Sequence, residues 1–462
     1  MNSKSARLHS YLDKIRLEDT DKVDTNEHFS NDTFKNMCPN FDPFPTVIKH
    51  QERVIAIGDI HGDMNLAINF LKAGKVITEI DNPQKLFNNS EIVEYIYRLE
   101  KNKLTKYKKV YQNYNQLFNF KDKHTYDNDN IVYRYYLVNN VLYVKVIQDD
   151  NNPKFDKSRW FIWTGGKTYV VQVGDQVDRC RPYPGYDCKK MDPLTDEDSD
   201  LEIMLLYDSL GKIAKVDGGR VYSLLGNHEL MNVSGDTRYI STKGLREFSP
   251  DPKNIEEGEE NRINMFNTLI AKKMACTRST ILVIGDYLFV HGGMAEKLSQ
   301  KYKLIDINSI IRRYLFDSYK RNSNRIRDVI KSSKLSPLWY RRLAYIPMDT
   351  NGDQHEDCQI VYDPIIDQIN KKNNGMSNDP VIQIKGMVIG HTPQFNIFNK
   401  GITTACNNRV IRADVGASGA FDHFATASDK KSREPQVAEI LTNLDTKEST
   451  VNILLLSSGA SP

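Results

Sequence analysis

Five short motifs, each carrying a side chain able to hold a metal ion, run through this chain: Gly58-Asp59-Ile60-His61-Gly62, Gly174-Asp175-Gln176-Val177-Asp178-Arg179, Gly226-Asn227-His228-Glu229, His291-Gly292-Gly293 and Gly390-His391-Thr392. Their donors are carboxylate, imidazole and amide oxygen without thiolate, a set that suits Mn, Fe or Zn in a reactive centre better than a structural cysteine–zinc site. Asp59 and His61 leave one loop together. In a strand-like run, residues two apart face one side, so both can grip one ion. Asp175 is the natural bridge, because one carboxylate has two oxygens and can hold two cations roughly 3.5 to 4 Å apart. Asn227, His291 and His391 complete the second ion. A water bridging two dications has its pKa lowered towards roughly 7, which supplies hydroxide at neutral pH for in-line attack on phosphorus. Arg179 suits the phosphoryl oxygens through its bidentate fork, and His228 held by Asp178 suits protonation of a leaving alkoxide or phenoxide. Taken singly, the motifs have plainer readings: a turn with a satisfied histidine, or a helix start capped by Asn227. Together they supply every ligand of one dinuclear site, and the chemistry implied is hydrolysis of phosphate esters.

The elements that must position these residues are legible around them. Residues 54–57, 170–173, 221–225, 287–290 and 387–389 are short apolar runs rich in β-branched residues, the pattern of strands buried on both faces, and each ends in glycine or a polar turn residue. After the first, residues 64–73 pair Leu66 with Phe70 and Ala67 with Leu71 at i, i+4, and Gly74 stands where a helix C-terminus favours it. Before the third strand, Ser199 to Glu202 reads as a capping box, followed by an apolar helical face of Ile203, Leu206, Tyr207, Leu210, Ile213 and Ala214. The fold class is therefore α/β, with all five motifs at the carboxyl ends of strands, where such layouts bind ligands.

At these residues the chain resembles the calcineurin-like metallophosphoesterases. Asp178-Arg179 and the Pro393 after Thr392 make it similar to the phosphoprotein phosphatase type. Asn227-His-Glu-Leu-Met-Asn-Val-Ser-Gly-Asp-Thr-Arg-Tyr239, Trp163-Thr-Gly-Gly-Lys-Thr-Tyr-Val-Val-Gln-Val-Gly-Asp175 and Gly390-His-Thr-Pro-Gln394 resemble the Shewanella-like protein phosphatases in particular. The resemblance implies a four-layer fold, a β-sandwich flanked by helices, with the metals at one sandwich edge. It implies a first metal on Asp59, His61 and Asp175, a second on Asp175, Asn227, His291 and His391, and a general-acid dyad of His228 with Asp178. Two arginines hold phosphate in that family; Arg179 matches the first, and Ser336-Pro-Leu-Trp-Tyr-Arg341 looks like the segment supplying the second, with Arg342 the neighbouring register. The activity implied is a metal-dependent phosphoprotein phosphatase acting on phosphoserine, phosphothreonine or phosphotyrosine by attack of a dimetal-bridging hydroxide, with a phosphorylated protein as partner. Cys180 departs from the pattern, standing where the family has a glycine after Asp-Arg, and it disfavours positive φ there.

Asp59 and Asp175 lie much further apart than a strand–helix–strand connection needs. An insertion over about residues 78–160 fills the gap, rich in Tyr, Asn and Lys, with residues 131–147 reading as a hairpin around Asn139-Asn140. A cap-like excursion spans about 300–380, and its first part carries Arg312, Arg313, Lys320, Arg321, Arg325, Arg327 and Lys331, the composition of a solvated helix face or of a surface that draws acidic substrates. The expected organisation is a polar N-terminal extension over 1–47, one catalytic domain over 48–456 with these two insertions, and a tail over 457–462. The chain has 462 residues, 39% hydrophobic and 27% charged, enough for a large core. A net charge of +3 without an Arg–aromatic stripe argues against nucleic acid as a partner. The N-terminal stretch lacks an apolar leader segment and no run is long enough to span a membrane, so a cytoplasmic setting is expected. Six cysteines are sparse for this length and imply ordinary thiols, with reduced Cys180 and Cys188 preferred over a redox lock. Two rival functions share many of these features: a nucleotide or dinucleotide polyphosphate hydrolase, which needs a pocket for a base, and a catalytically silent metal-binding scaffold.

Overall fold

The computed structural model describes residues 31–39, 41–80, 91–100, 103–112, 131–138, 141–148, 157–189, 199–246, 248–249, 254–316, 323–349, 355–374 and 383–456. The chain divides into two compact units. Among the described residues, the larger lies within Asp24–Gly74, Thr168–Ile203 and Val221–Pro462, and the smaller within Lys75–Lys167 and Met204–Arg220.

In the larger unit the apolar runs form two sheets. One has the order Arg220–Ser223, Tyr169–Gln172, Arg53–Ile57, Gln436–Thr442, Ser449–Leu455. In the other, Val47–Ile48 is followed by Ile281–Ile284, Tyr287–Val290, Gly386–Ile389, Val410–Arg412 and Thr403–Ala405. Arg53–Ile57 lies parallel to Tyr169–Gln172, and Tyr287–Val290 parallel to Gly386–Ile389, so these pairs deliver their carboxyl ends to the same side. Val54, Ala56 and Val171 from the first sheet, with Leu224 just after its Arg220–Ser223 strand, share one core with Leu282, Phe289, Val388 and Ile411 from the second, which makes the unit a sandwich. Each fully buried Ile or Phe of this kind contributes about 1.5–3 kcal/mol before entropy is counted. Met64–Ala73 packs beside Gln436–Thr442, and Leu304–Leu315 beside Ile281–Ile284, so both sheets carry helices. The fold is the mixed α/β arrangement expected, and the first helix has its expected bounds. Asp63 caps it by accepting from the Leu66 N–H at 2.9 Å, and the Gly74 N–H closes it on the Phe70 carbonyl.

The Lys75–Lys167 part of the smaller unit includes the region read as an insertion. Its strands Ile77–Glu79, Lys157–Trp163, Val141–Gln148, Ile131–Val138, Ile92–Glu100 and Lys103–Tyr111 form one sheet in that order. Ile131–Val138 and Val141–Gln148 pair antiparallel with Val138 opposite Val141, while Asn139 and Asn140 of the expected turn lie outside the described residues.

Several expectations need correction. All six cysteines are paired, as Cys38–Cys276, Cys180–Cys188 and Cys358–Cys406. Sparse spacing concealed this, because folding brings Cys38 to Cys276 across 238 positions. The N-terminal stretch is not wholly a polar extension: Asn31–Met37 is helical, Phe34 is buried, and Val47–Ile48 pairs with Ile281–Ile284. Arg312 is no solvated residue, since its helix is buried on several sides; Arg312 donates to the Ala275 carbonyl at 2.9 Å, and burial pulls its pKa down to about 10. Lys320 and Arg321 lie outside the described residues. The helix Asn227–Val233 is capped by Gly226, not by Asn227, which leaves the Asn227 side chain for other work.

Candidate metal centre

The strand ends converge as their pairing requires. Asp59 follows Arg53–Ile57, Asp175 follows Tyr169–Gln172 and Asn227 follows Arg220–Ser223, all from the first sheet; His291 and His391 follow Tyr287–Val290 and Gly386–Ile389 of the second. Backbone bonds lock the loops together: the N–H groups of Ile60 and His61 donate to the Asp175 carbonyl, and the Gly390 N–H donates to that of His291. Close approach needs glycine here. A Cβ on Gly226 would lie 2.0 Å from Asp175 Oδ1, and one on Gly390 would lie 2.3 Å from Asp59 Oδ1.

All six sequence-derived metal residues are brought together. Around Asp175 Oδ2 stand His291 Nε2 at 3.1 Å, His61 Nε2 at 3.9 Å and His228 Nε2 at 3.9 Å, while His61 Nε2 lies 3.7 Å from Asp59 Oδ2. Asn227 Oδ1 is 3.0 Å from His291 Nε2. Two groups result, His61 with Asp175 and His228, and Asp175 with His291 and His391, so that Asp175 belongs to both. Ring nitrogens turned away from the site have carbonyl partners. His61 Nδ1 is 3.2 Å from the Val177 carbonyl and His291 Nδ1 is 3.0 Å from that of Val173, so each Nδ1–H donates outward and Nε2 keeps its lone pair for a metal. His391 Nε2 is buried with no hydrogen-bond partner, which is costly unless an ion takes it. The residues fit a pair of divalent cations.

Electrostatics supports the same fit. Burial, and then the Asp414 and Asp175 carboxylates, push Asp59 well above the ordinary carboxyl range. Burial also raises Asp414, to about 6, and leaves its Oδ2 without a partner. Burial opposes ionisation of Asp175, yet His291, by charge and hydrogen bond, holds it well below the usual value, and Asp175 in turn outweighs burial and raises His291. His61 and His391 are depressed well below the usual imidazole range, first by burial, then by Arg181 for His61 and by His291 for His391. Both are neutral donors at pH 7. A buried pocket with three close carboxylates is relieved by cations. Asp414 was missed in the sequence, although it follows a short strand, Val410–Arg412, as the recognised ligands do.

Backbone strain concentrates on these residues. His61, Asp175, Asp178 and His391 have φ of 50°, 56°, 74° and 68°. Such left-handed conformations are uncommon outside glycine and persist only where surrounding contacts hold them. His61 therefore meets Asp59 through a turn, and the strand alternation expected from their spacing is not the cause. Cys180, in place of glycine, does not adopt positive φ.

Behind the metal-capable residues His228 pairs with Asp178. His228 Nδ1 is 2.7 Å from Asp178 Oδ2, so Asp178 accepts from it and Nε2 faces the metal residues. Asn232 Nδ2 donates to Asp178 Oδ1 at 2.8 Å, Arg262 Nε donates to Asn232 Oδ1 at 2.9 Å, and Arg262 Nη2 pairs with Asp200 at 2.6 Å. Arg262 is fully buried between Phe248 and Phe266. No motif contains Arg262, and only folding brings it here. Glu229, present in a recognised motif, accepts from the N–H groups of Asp175, Gln176 and Gly226, at 3.0, 2.7 and 2.7 Å, which fixes the bridging loop.

The arginines divide. Arg341 Nη1 donates to the His391 carbonyl at 2.7 Å and to Thr392 Oγ1 at 3.1 Å, whereas Arg342 opens the turn of helix Arg342–Tyr345. Arg179 is buried, with Nη1 2.6 Å from Asp63 Oδ2 and 2.9 Å from Ser418 Oγ.

The chain is similar to several known proteins. Among curated proteins, R398 of Acanthamoeba polyphaga mimivirus is 33% identical over 51% of this chain and 94% of its own length. Shewanella-like protein phosphatase 2 of Arabidopsis thaliana is 29% identical over 55% of this chain, and protein C1840.07c of Schizosaccharomyces pombe 27% identical over 56%. The match spans 64% of the length of each of these last two. Among solved structures, a cold-active protein-tyrosine phosphatase of a psychrophilic Shewanella species superposes with a TM-score of 0.46 and 18% identity, covering 89% of this chain and 82% of that one. The sequence profile of the calcineurin-like phosphoesterases matches residues 52–395, from the strand before Asp59 to the loop after His391, and the chain accordingly belongs to that family.

Proposed function

We propose that this hydrolase is a dinuclear phosphomonoesterase whose substrate is a phosphorylated protein. The observation that carries the reading is the His228–Asp178 pair at 2.7 Å, with His228 Nε2 directed at the shared carboxylate of Asp175. Asp59, His61 and Asp175 would hold one ion, and Asp175, Asn227, His291 and His391 the other; the nitrogen and oxygen donors suit Mn, Fe or Zn. When bound, such ions polarise the phosphoryl oxygens and lower the pKa of the attacking water. The chain's own residues do the rest. Asp178 holds the His228 Nδ1–H and stabilises the imidazolium, so that the Nε2 proton can pass to the departing alkoxide or phenoxide. Arg341 and a guanidinium from the Asp178-Arg179 loop hold the phosphoryl group in place. Substrate orientation rests on these side chains.

The relatives support a protein substrate, since one bears the name of a protein phosphatase. No helix among the described residues is long and apolar enough to cross a membrane. Three disulfides favour an oxidising compartment over the cytoplasmic setting read from the sequence. The deciding assay is metal-dependent turnover of phosphoserine, phosphothreonine and phosphotyrosine peptides beside a diadenosine polyphosphate. Peptide hydrolysis that vanishes on chelation supports the reading. Turnover of the dinucleotide alone would transfer the site to nucleotide chemistry, and no turnover of either would leave a metal-binding scaffold.

A further inference from the structure

We propose that Asp414 is a positioning residue for the first ion: its free carboxylate oxygen accepts a hydrogen bond from a water in the shell of the ion held by Asp59, His61 and Asp175. The proposal rests on the dinuclear reading above.

Asp414 follows the strand Val410–Arg412 and is 1% exposed. Backbone contacts wedge it between the loops that carry Asp59 and His391. The Ala413 N–H donates to the Ile389 carbonyl at 2.7 Å, and the Gln394 N–H donates to the Asp414 carbonyl at 2.9 Å. A Cβ on Gly58 would lie 2.1 Å from the Ala413 carbonyl oxygen and 3.0 Å from Asp414 Cα, so no side chain separates Asp414 from the residue before Asp59. Further along the same segment, Ser418 Oγ donates to the His61 carbonyl at 3.3 Å. The segment therefore runs beside Asp59 and His61, the two residues proposed to serve the first ion alone.

The two oxygens of Asp414 are used differently. Oδ1 accepts from the Gly416 N–H at 2.9 Å and closes a turn, while Oδ2 is buried with no hydrogen-bond partner. A carboxylate oxygen left so is costly unless a donor meets it. Asp59 does not serve, being an acceptor itself, with its Oδ2 3.0 Å from the His391 N–H that donates to it. Among the charges that act on Asp59, that of Asp414 is the largest, so the two carboxylates repel each other across a short gap. The charges of His291, Asp175 and Arg341 also reach Asp414. A water satisfies this pocket by donating to Oδ2 while turning its own oxygen to a cation, and a cation strengthens its donor character.

The proposed ligand sets point to the same ion. Asp175, Asn227, His291 and His391 surround the second, whereas the first has only Asp59, His61 and Asp175 and so keeps positions for water. A carboxylate that orients such a water strengthens the hold on the ion without touching it.

Titration of the metal-free full chain with manganese, read by calorimetry and electron paramagnetic resonance, tests the role without turnover. Wild type should take up a pair of ions and develop an exchange-coupled signal. In Asp414→Asn the amide oxygen can keep the Gly416 N–H, but an NH2 donor replaces the free acceptor. One ion should then bind about 10–100-fold more weakly, or ~1.4–2.8 kcal/mol, and the coupled signal should give way to that of isolated manganese at limiting metal. The melting temperature without metal should match wild type, since the turn is kept. Asp414→Ala, which loses both contacts, should weaken the same ion and also lower that melting temperature. Unchanged manganese binding in Asp414→Asn would reduce Asp414 to its turn and overturn the proposal. A loss as complete as in Asp59→Ala would make Asp414 a direct ligand and overturn it too, as would a wild type that binds no pair of ions. If the pair depends on Asp414 but no phosphomonoester is hydrolysed, the role of Asp414 stands and the phosphatase reading falls.

Discussion

His228 carries the most specific chemical role assigned to any one residue. It is buried beside Asp175 and oriented by Asp178, and the ligand sets proposed for the two ions do not include it. His228→Ala should therefore retain both metals while turnover of a phosphoserine peptide falls about 10² to 10⁴-fold, or roughly 3 to 5 kcal/mol of barrier. The loss should shrink for nitrophenyl phosphate, whose leaving group needs little protonation. Equal losses for good and poor leaving groups would contradict the acid role. At this scale the sequence was informative about which side chains meet, because the residues that gather around Asp175, and the His228–Asp178 pair, sit in short motifs directly after strands. Arg262 was illegible for the opposite reason. It lies on the helix Ile255–Met265, far along the chain from Asp178 and Asn232, and its charge gives no hint of a buried destination. Arg262→Met would remove its bonds to Asn232 and Asp200, so its melting temperature should fall by several degrees, with the pH profile of turnover shifting as the dyad loosens. An unchanged profile would confine Arg262 to stability.

Strand ends and the turns after them set the geometry of the centre. The five motif-bearing strands were readable to within two residues, since apolar β-branched runs flanked by glycine have few alternatives. The turns were not. His61, Asp175, Asp178 and His391 take left-handed conformations that no residue preference announces, and they bring Asp59 to His61 where alternation along a strand was expected to do so. Gly390 shows how tightly these turns are packed, since its missing side chain leaves room for Asp59. Gly390→Ala should push Asp59 aside and weaken metal retention, while the far-ultraviolet dichroism of the fold remains. Metal content equal to wild type after dialysis would show that the loop absorbs the methyl group.

For the molecule as a whole, the sandwich was recognisable, while the cysteine pairing was not. Cys38 joins a helix near the start of the described chain to Cys276, and Cys358 joins Cys406 across 48 positions. Spacing alone cannot show such pairs in a chain this long, because only the fold decides which cysteines meet. A native disulfide is worth about 2–4 kcal/mol, so reduction under conditions that keep the metals bound should lower the melting temperature by several degrees. Identical melting with and without reductant would argue that the pairs are not formed in solution.

The central claim is that one carboxylate serves two ions in a hydrolytic centre, and it is tested most directly by counting metals and measuring turnover in wild type and Asp175→Asn side by side. Asp175 belongs to both ligand groups and is the residue against which His61, His228 and His291 are all arranged. The amide loses the negative charge and one of the two bridging oxygens. Wild type should carry about two ions per chain and hydrolyse phosphomonoesters; Asp175→Asn should lose metal and activity together while remaining folded. Full metal content with normal turnover in Asp175→Asn would contradict the account.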